Sequence, residues 1–325
     1  YGSRYMDDAG GGLSTLGNED LTWETNYSTN VGIDFTLLDN RLYGTFEVFN
    51  RDSRNVLQSV PISRVTGFTS IHTNIGELNN KGFEISLGYD IISKADLRWS
   101  VNMNLSSVKS TVTKLYKSEG EEKGQDIIWS DPTGGDARAG YIYREGESML
   151  SYYGYEWAGV DPNNGDNVWY VNDPDDPKAG DFEFNGRGAT YAFNSANRII
   201  LGSAIPDAFG GINTDVEYKG FSLNVNFIYK LGGYLYDGAF KDIGDDGYYW
   251  ERIRAEYYLN NRWTESNKNG SLPRLSGNDW TDAMQHSSRQ MHNASFLRLK
   301  SITLGYNLPQ AWLNPVRITN ARVYF

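Results

Sequence analysis

Long runs of apolar–polar alternation dominate this sequence, and a period of two marks β-strands that present a different surface to each side. Val31, Ile33, Phe35 and Leu37 alternate with Asn30, Gly32, Asp34 and Thr36. Phe83, Ile85, Leu87, Tyr89 and Ile91 alternate with Glu84, Ser86, Gly88 and Asp90. Leu97, Trp99, Val101, Met103 and Leu105 are separated by Arg98, Ser100, Asn102 and Asn104. Ile212, Thr214, Val216 and Tyr218 interleave with Asn213, Asp215 and Glu217, and Phe221 to Tyr229 repeat the pattern with Ser222, Asn224 and Asn226. These runs are roughly 9–12 residues long, beyond the usual strand mode of about 5–6.

Connection lengths sort into two kinds. Strand 30–38 meets 41–51 through Asp39-Asn40, strand 81–92 meets 97–109 through Ser93 to Asp96, and strand 210–218 meets 221–231 through Lys219-Gly220. A fourth hairpin is expected from Ala137–Arg144 through Glu145-Gly146-Glu147 to Tyr152–Gly159. A fifth runs Phe296–Asn307, turns through Leu308–Ile318 and starts back at Thr319. The intervening connections are on the order of 25 to 65 residues, where compact domains use about 4–6. This is the layout of an all-β, antiparallel transmembrane barrel with short periplasmic turns and long extracellular loops. About ten spanning strands are expected. The alternative is a soluble or surface-anchored β-sandwich that binds glycans without transport. A sandwich packs Val31, Phe35, Leu87, Val101, Val225 and Leu304 into a core; a barrel turns them outward. Within the loops, Glu251–Arg262 reads as containing one short helix, and Asp161–Gly188 as solvated turns.

Composition trims the functional classes. The 325 residues suit two domains or one large β domain. Thirty Lys+Arg against 41 Asp+Glu leave a net charge of −11, which disfavours nucleic acid as a partner. Zero cysteines exclude disulfides and thiolate chemistry. No apolar run is long enough for a transmembrane helix, a test that a barrel escapes because it shows lipid only every second residue. Enzyme chemistry finds no foothold. His72, His286 and His292 are the only histidines and form no metal-ligand or triad spacing. Glu121-Glu122, Asp175-Asp176 and Asp245-Asp246 read as solvated loop charges rather than acid–base pairs. No catalytic residue, metal or cofactor is expected.

In the barrel reading, the polar side of each strand faces the lumen: Asp34, Glu84, Asn102, Asn104, Asn213, Asp215, Asn224 and Asn226. Tyr43, Tyr89, Trp99, Tyr218, Tyr229 and Tyr306 fit interfacial girdles. Substrate-contact candidates are the loop aromatics Trp129, Trp169, Tyr248, Tyr249, Trp250 and Trp280, whose rings could stack on a sugar or a peptide side chain. Of these, Tyr248-Tyr249-Trp250, beside the acidic Asp242–Asp246 run, is the leading ligand or lid contact.

Three segments resemble the SusC/RagA family of TonB-linked (TonB-dependent) outer-membrane transporters of the Bacteroidota. The first is Asn18-Glu19-Asp20-Leu21-Thr22-Trp23-Glu24 followed by Asn30 to Phe35 and Asp39-Asn40-Arg41-Leu42. The second is Asn74-Ile75-Gly76-Glu77 through Asn80-Lys81-Gly82-Phe83-Glu84. The third is Ser295-Phe296-Leu297-Arg298-Leu299-Lys300-Ser301-Ile302-Thr303-Leu304-Gly305-Tyr306-Asn307-Leu308-Pro309. Tyr152 to Tyr155, Gly159-Val160-Asp161 and Arg262-Trp263-Thr264 support the match. The resemblance implies that residues 1–325 are a partial C-terminal region of a roughly 22-stranded TonB-dependent receptor barrel, with the plug and N-terminal domains outside this sequence. The chain opens Tyr1-Gly2-Ser3 and ends inside an expected strand at Arg322-Val323-Tyr324-Phe325, so both ends read as cut. It further implies an outer-membrane location, a SusD-like lipoprotein partner, energy from TonB, ExbB and ExbD, and uptake of an oligosaccharide or oligopeptide. One departure is Asp173-Pro174-Asp175-Asp176-Pro177-Lys178, which lacks the glycine turn and glutamate of a calcium loop that the family often carries.

Overall fold

The computed structural model describes residues 3–5, 8–10, 16–129, 140–243, 246–247, 256–276 and 286–325. Its main element is one eight-stranded antiparallel sheet in which every strand neighbours the next in chain order. We label these strands β1 (Thr25–Leu37), β2 (Leu42–Pro61), β3 (Ser70–Ser93), β4 (Leu97–Lys114), β5 (Ala208–Tyr218), β6 (Phe221–Leu231), β7 (Phe296–Asn307) and β8 (Arg322–Tyr324). The tight turns use the expected chemistry: Leu38, Asp39 and Asn40 take positive φ before β2, and Lys219-Gly220 does so before β6. Such φ values match the right-handed twist of paired strands.

Register turns the alternation into two continuous surfaces. Leu37, Leu42, Tyr89, Val101, Thr214, Val225 and Ile302 form one lateral row across seven strands. Phe35, Leu87, Met103, Ile212, Phe227 and Leu299 form the next row on the same face. Among the described residues no second sheet covers this face, and Ile302 in its middle is 56% exposed. The sandwich arrangement is therefore excluded for the described residues. Two tyrosines lie across glycines directly opposite them. A Cβ on Gly88 would lie 2.2 Å from the Tyr43 ring, and one on Gly210 2.8 Å from the Tyr229 hydroxyl, so both glycines are the floor on which a ring rests. Tyr89, Trp99, Tyr218, Tyr229 and Tyr306 share the apolar face, and Trp99 Nε1 is satisfied there by Thr214 Oγ1 at 2.9 Å. Tyr43 does not: it lies on the polar face, which corrects its expected girdle place.

The structure corrects three further expectations. Residues 52–61 and 70–80, expected within a loop, are strand, because β2 runs 20 residues and β3 runs 24. The hairpin expected over 137–159 is not part of the main sheet. Its strands Tyr141–Tyr143 and Ser151–Gly154 join Ile127–Trp129 and Ile199–Ser203 in a small separate sheet, so the main sheet has eight strands rather than about ten. Asp161–Gly188, expected as solvated turns, contributes Asn167–Tyr170 and Phe182–Phe184 to a second small sheet with Trp157–Val160 and Arg187–Thr190. The helix expected over 251–262 is present at Glu256–Asn260, the part that falls within the described residues.

Both small sheets belong to the connection between β4 and β5, and the connection between β6 and β7 leaves the same end of the sheet. The compact hydrophobic core sits here rather than under the sheet. Tyr155, Trp169 and Ala196 are buried together, with Trp157 and Phe193 packed against them. Among the described residues no helix is long and apolar enough to cross a membrane.

Candidate functional site

The eight residues expected to line a lumen share one face of the sheet. Asn102, Asn213, Asn226 and Ser301 form a row across β4 to β7, and Ser100, Asp215, Asn224 and Thr303 form the row beside it. Asp34, Glu84 and Asn104 lie on the same side by alternation. Several are joined. Asn224 Nδ2 donates to Asp215 Oδ1 at 2.6 Å, and Asn226 Nδ2 donates to Asn224 Oδ1 at 2.8 Å and Ser301 Oγ at 3.2 Å. Asn213 Nδ2 donates to Asn226 Oδ1 at 2.8 Å, and the Tyr43 hydroxyl donates to Asn102 Oδ1 at 3.1 Å. Asn104 Oδ1 accepts the Gly211 N–H. Asp34 and Glu84 stand apart from this network and are exposed, Glu84 facing Glu47 across the β2–β3 pair. Like charges directly opposite repel, and they are tolerated where water reaches both. The face thus holds water and offers a polar solute both donors and acceptors along an open groove of about 490 Å³.

Of the loop aromatics expected to touch solute, Trp169 is 0% exposed and packs at the centre of the loop core, so its ring is a core element and not an accessible stacking face. Trp129 ends the strand Ile127–Trp129, opposite Tyr141. Tyr248, Tyr249, Trp250 and Trp280 lie outside the described residues.

The same loops hold a buried ion cluster that local sequence pattern does not reveal. Asp246 is 3% exposed, not the solvated charge expected of the Asp245-Asp246 pair; Asp245 lies outside the described residues. Arg289 reaches Asp246 with both terminal nitrogens, Nη1 to Oδ2 at 2.6 Å and Nη2 to Oδ1 at 2.9 Å. Arg262 Nη1 donates to Asp246 Oδ1 at 3.0 Å and to the Pro273 carbonyl at 2.9 Å, and Asn167 Nδ2 donates to Asp246 Oδ2 at 3.3 Å. Burial alone would raise the Asp246 pKa; the guanidiniums of Arg289 and Arg262 outweigh it and hold the carboxyl below its ordinary value. The carboxylate is therefore ionised at neutral pH and serves as an anchor, not as an acid. Arg289 is set on the 3₁₀ turn Ser288–Gln290, closed by a Ser287–Gln290 capping box, and its guanidinium lies 5.5 Å from the Trp157 ring centre. One carboxylate thereby ties the β6–β7 connection to the sheet at Trp157 and Asn167. Nearby, Arg187 grips Glu156 with two hydrogen bonds of 2.8 and 2.7 Å, and Tyr191 donates to Asp161 at 2.6 Å. Among the described residues no group of three or more His, Asp or Glu side chains is placed to hold a metal ion.

A meander with one uncovered apolar face, one hydrogen-bonded polar face and structured connections gathered at one end is part of the wall of a transmembrane β-barrel. The family model described as TonB dependent receptor-like, beta-barrel matches residues 1–227. A TonB-dependent receptor of Formosa agariphila is 31% identical over 318 residues, covering 96% of this chain and 30% of the relative. The TonB-dependent receptor SusC of Bacteroides thetaiotaomicron is 27% identical over 91% of this chain and 27% of its own length. A solved structure titled as the RagAB peptide transporter superposes with a TM-score of 0.79 at 29% identity, covering 99% of this chain and 33% of that one. The chain belongs to the TonB-dependent receptor β-barrel family of outer-membrane proteins. It spans 27–31% of the length of the curated relatives it matches.

Membership fixes which solvent each face meets, and this carries a quantitative expectation. Ile302→Arg places a charge on the lipid side near mid-strand and should destabilise the folded barrel by about 2–4 kcal/mol. Thr303→Arg, on the polar face, should cost well under ~1 kcal/mol. Denaturant titration of the full-length protein refolded into lipid vesicles measures both, and equal costs would overturn the assignment of faces.

Proposed function

We propose that this chain is the C-terminal part of the barrel of a TonB-driven importer that takes up an oligosaccharide or oligopeptide across the outer membrane. The observation that carries this reading is the pairing of a lipid-type face with a hydrogen-bonded polar face beneath a folded loop assembly at one end. In this reading the asparagine and aspartate rows form wall for a plug and a transport path. The loop assembly receives a SusD-like lipoprotein over its outer surface. TonB, ExbB and ExbD supply the energy by acting on a plug encoded elsewhere in the protein, and no covalent chemistry is involved. Trp129, Tyr248, Tyr249, Trp250 and Trp280 are proposed solute or lid contacts. The likeness to a transporter titled for peptides favours the oligopeptide over the oligosaccharide.

The test is uptake by cells carrying the full-length protein. Labelled oligopeptides should accumulate only with both the protein and TonB present. Accumulation that persists after TonB is deleted would sink the proposal.

A further inference from the structure

On its apolar face the main sheet changes chemistry at a single row. From the row of Ile92 and Trp99 up to the row of Val31, Val48, Phe83 and Ser107, alternation places no charged side chain on this face of β1 to β4. The next row toward the loops is Thr29, Asn50, Lys81 and Lys109, with the two lysines directly opposite each other across the β3–β4 pair. Lys109 lies ten residues above Trp99 on β4. At about 3.3 Å per residue and a strand tilt of about 40°, that is roughly 25 Å along the membrane normal, the height of a barrel's apolar band. The lysine pair therefore marks the upper edge of the band. This edge lies toward the loops, and in barrels with short periplasmic turns and long extracellular loops it is the outer one.

Two features call for an anion there. Like charges directly opposite on a sheet repel, and at the edge of a lipid layer less water screens them. Among the described residues neither ammonium pairs with a carboxylate. The carboxylate of the row above, Asp52, is taken up by amides: Asn50 Nδ2 donates to its Oδ2 at 3.1 Å and Asn79 Nδ2 to its Oδ1 at 2.7 Å. The second feature is the apolar floor below the lysines. Exposed Val31, Val48 and Phe83, with Asn50, Lys81 and Lys109, line an open groove of about 540 Å³. Two cations above hydrocarbon-like walls fit an amphiphile with an anionic head.

Location chooses the anion. A solute in the lumen meets the opposite face of this wall. The apolar rows directly beneath the lysines are the lipid-facing surface, so the occupant continuous with them is a lipid. An ammonium binds phosphate as a compact point charge with three donors. Two of them offset the roughly −1.5 to −2 charge of a phosphomonoester, whereas a zwitterionic phosphodiester head already carries its own cation. We propose that Lys81 and Lys109 form a site for the phosphomonoester head of an outer-leaflet lipid, whose acyl chains lie on Phe83, Val48 and Val31. The proposal rests on the assignment of faces and not on the importer reading.

In the test, full-length protein in a neutral detergent is titrated with phosphatidic acid or with phosphatidylcholine of the same acyl chains, and bound lipid is counted by native mass spectrometry. Each lysine facing an anionic head is worth about fivefold in affinity, so phosphatidic acid should bind about thirtyfold more tightly. Lys81→Gln combined with Lys109→Gln should erase that preference, and Lys81→Arg with Lys109→Arg should keep it. Lys123→Gln with Lys178→Gln, which removes the same charge from exposed loop positions, should keep it as well. Inorganic phosphate at the lipid's own concentration should leave the lipid bound. Equal affinity of the wild type for the two lipids, the result if the lysines only reach for water, overturns the site. So does a preference that survives the glutamine pair, or one that is lost in the arginine pair or the loop control. Release of the lipid by inorganic phosphate overturns it too, because the site would then take a free anion.

Discussion

Asp246→Ala should unlock the loop assembly of the full-length protein while the membrane sheet remains folded. Removing one partner of a buried ion pair strands the other charges, and such losses run to about 3–5 kcal/mol. Here the carboxylate accepts from both terminal nitrogens of Arg289 and from Arg262 and Asn167, all within a site that is almost fully buried. Amide exchange in residues 155–170 and 286–293 should accelerate by about a hundredfold or more, since each ~1.4 kcal/mol is a factor of ten. Exchange in β1 to β4 should stay slow. Asp175→Ala, at an exposed loop position, is the matched control and should change little. Unchanged exchange in the Asp246 variant would show that the loops do not depend on this anchor.

The same pair sets the direction of the pH response. A carboxyl whose pKa in the folded state lies below its ordinary value stabilises that state at every pH above the ordinary value of about 3.9. The contribution is lost only as pH falls below that range. Loop protection should therefore be flat from neutral pH down to about 5, as far as Asp246 is concerned, and decline in stronger acid.

How much of this was legible in the sequence depends on what each segment faces. The strands of the membrane-spanning zone were readable because lipid on one side and water on the other impose strict alternation on Val31–Leu37, Phe83–Ile91 and Phe221–Tyr229. Asn50–Val60 and Ser70–Asn80 are strands too, yet they stand nearer the loops, carry polar residues on both sides and lose the period. The segment 137–159 erred the other way. Its short extended pieces are genuine but pair inside the small loop sheet, and a local pattern says nothing about which partner a strand chooses. The polar-face asparagines fell into place because their side followed from the period alone. The ion cluster did not, because Asp246 lies 16 residues from Arg262, 43 from Arg289 and 79 from Asn167, and no spacing links them. Trp169 was misjudged for a related reason. A tryptophan among aspartates, asparagines and glycines looks exposed until distant Tyr155 and Phe193 close over it.

Trp169→Ala should cost the loop assembly about 3–5 kcal/mol, the range for removing a fully buried tryptophan. The residue occupies the middle of Asn167–Tyr170, opposite Trp157 on one side and Thr190 on the other. Its ring meets Tyr155 edge-on at 6.3 Å and Phe193 at 6.5 Å, contacts that alanine cannot replace. A second substitution separates packing from solute contact. Trp169 Nε1 donates to no acceptor among the described residues, so Trp169→Phe discards a buried, unpaired N–H together with part of the ring. The gain from the first offsets the loss from the second, and the net cost should be below ~1.5 kcal/mol. Limited proteolysis of the full-length protein in detergent should thus cut the alanine variant rapidly within residues 161–188 and leave the phenylalanine variant near wild type. On the proposed importer reading, solute binding should follow the same order, with the phenylalanine variant retaining the wild-type affinity. If Trp169→Phe instead kept its protease resistance and lost that affinity, the ring would be a solute contact after all, reached through an opening of the loop core.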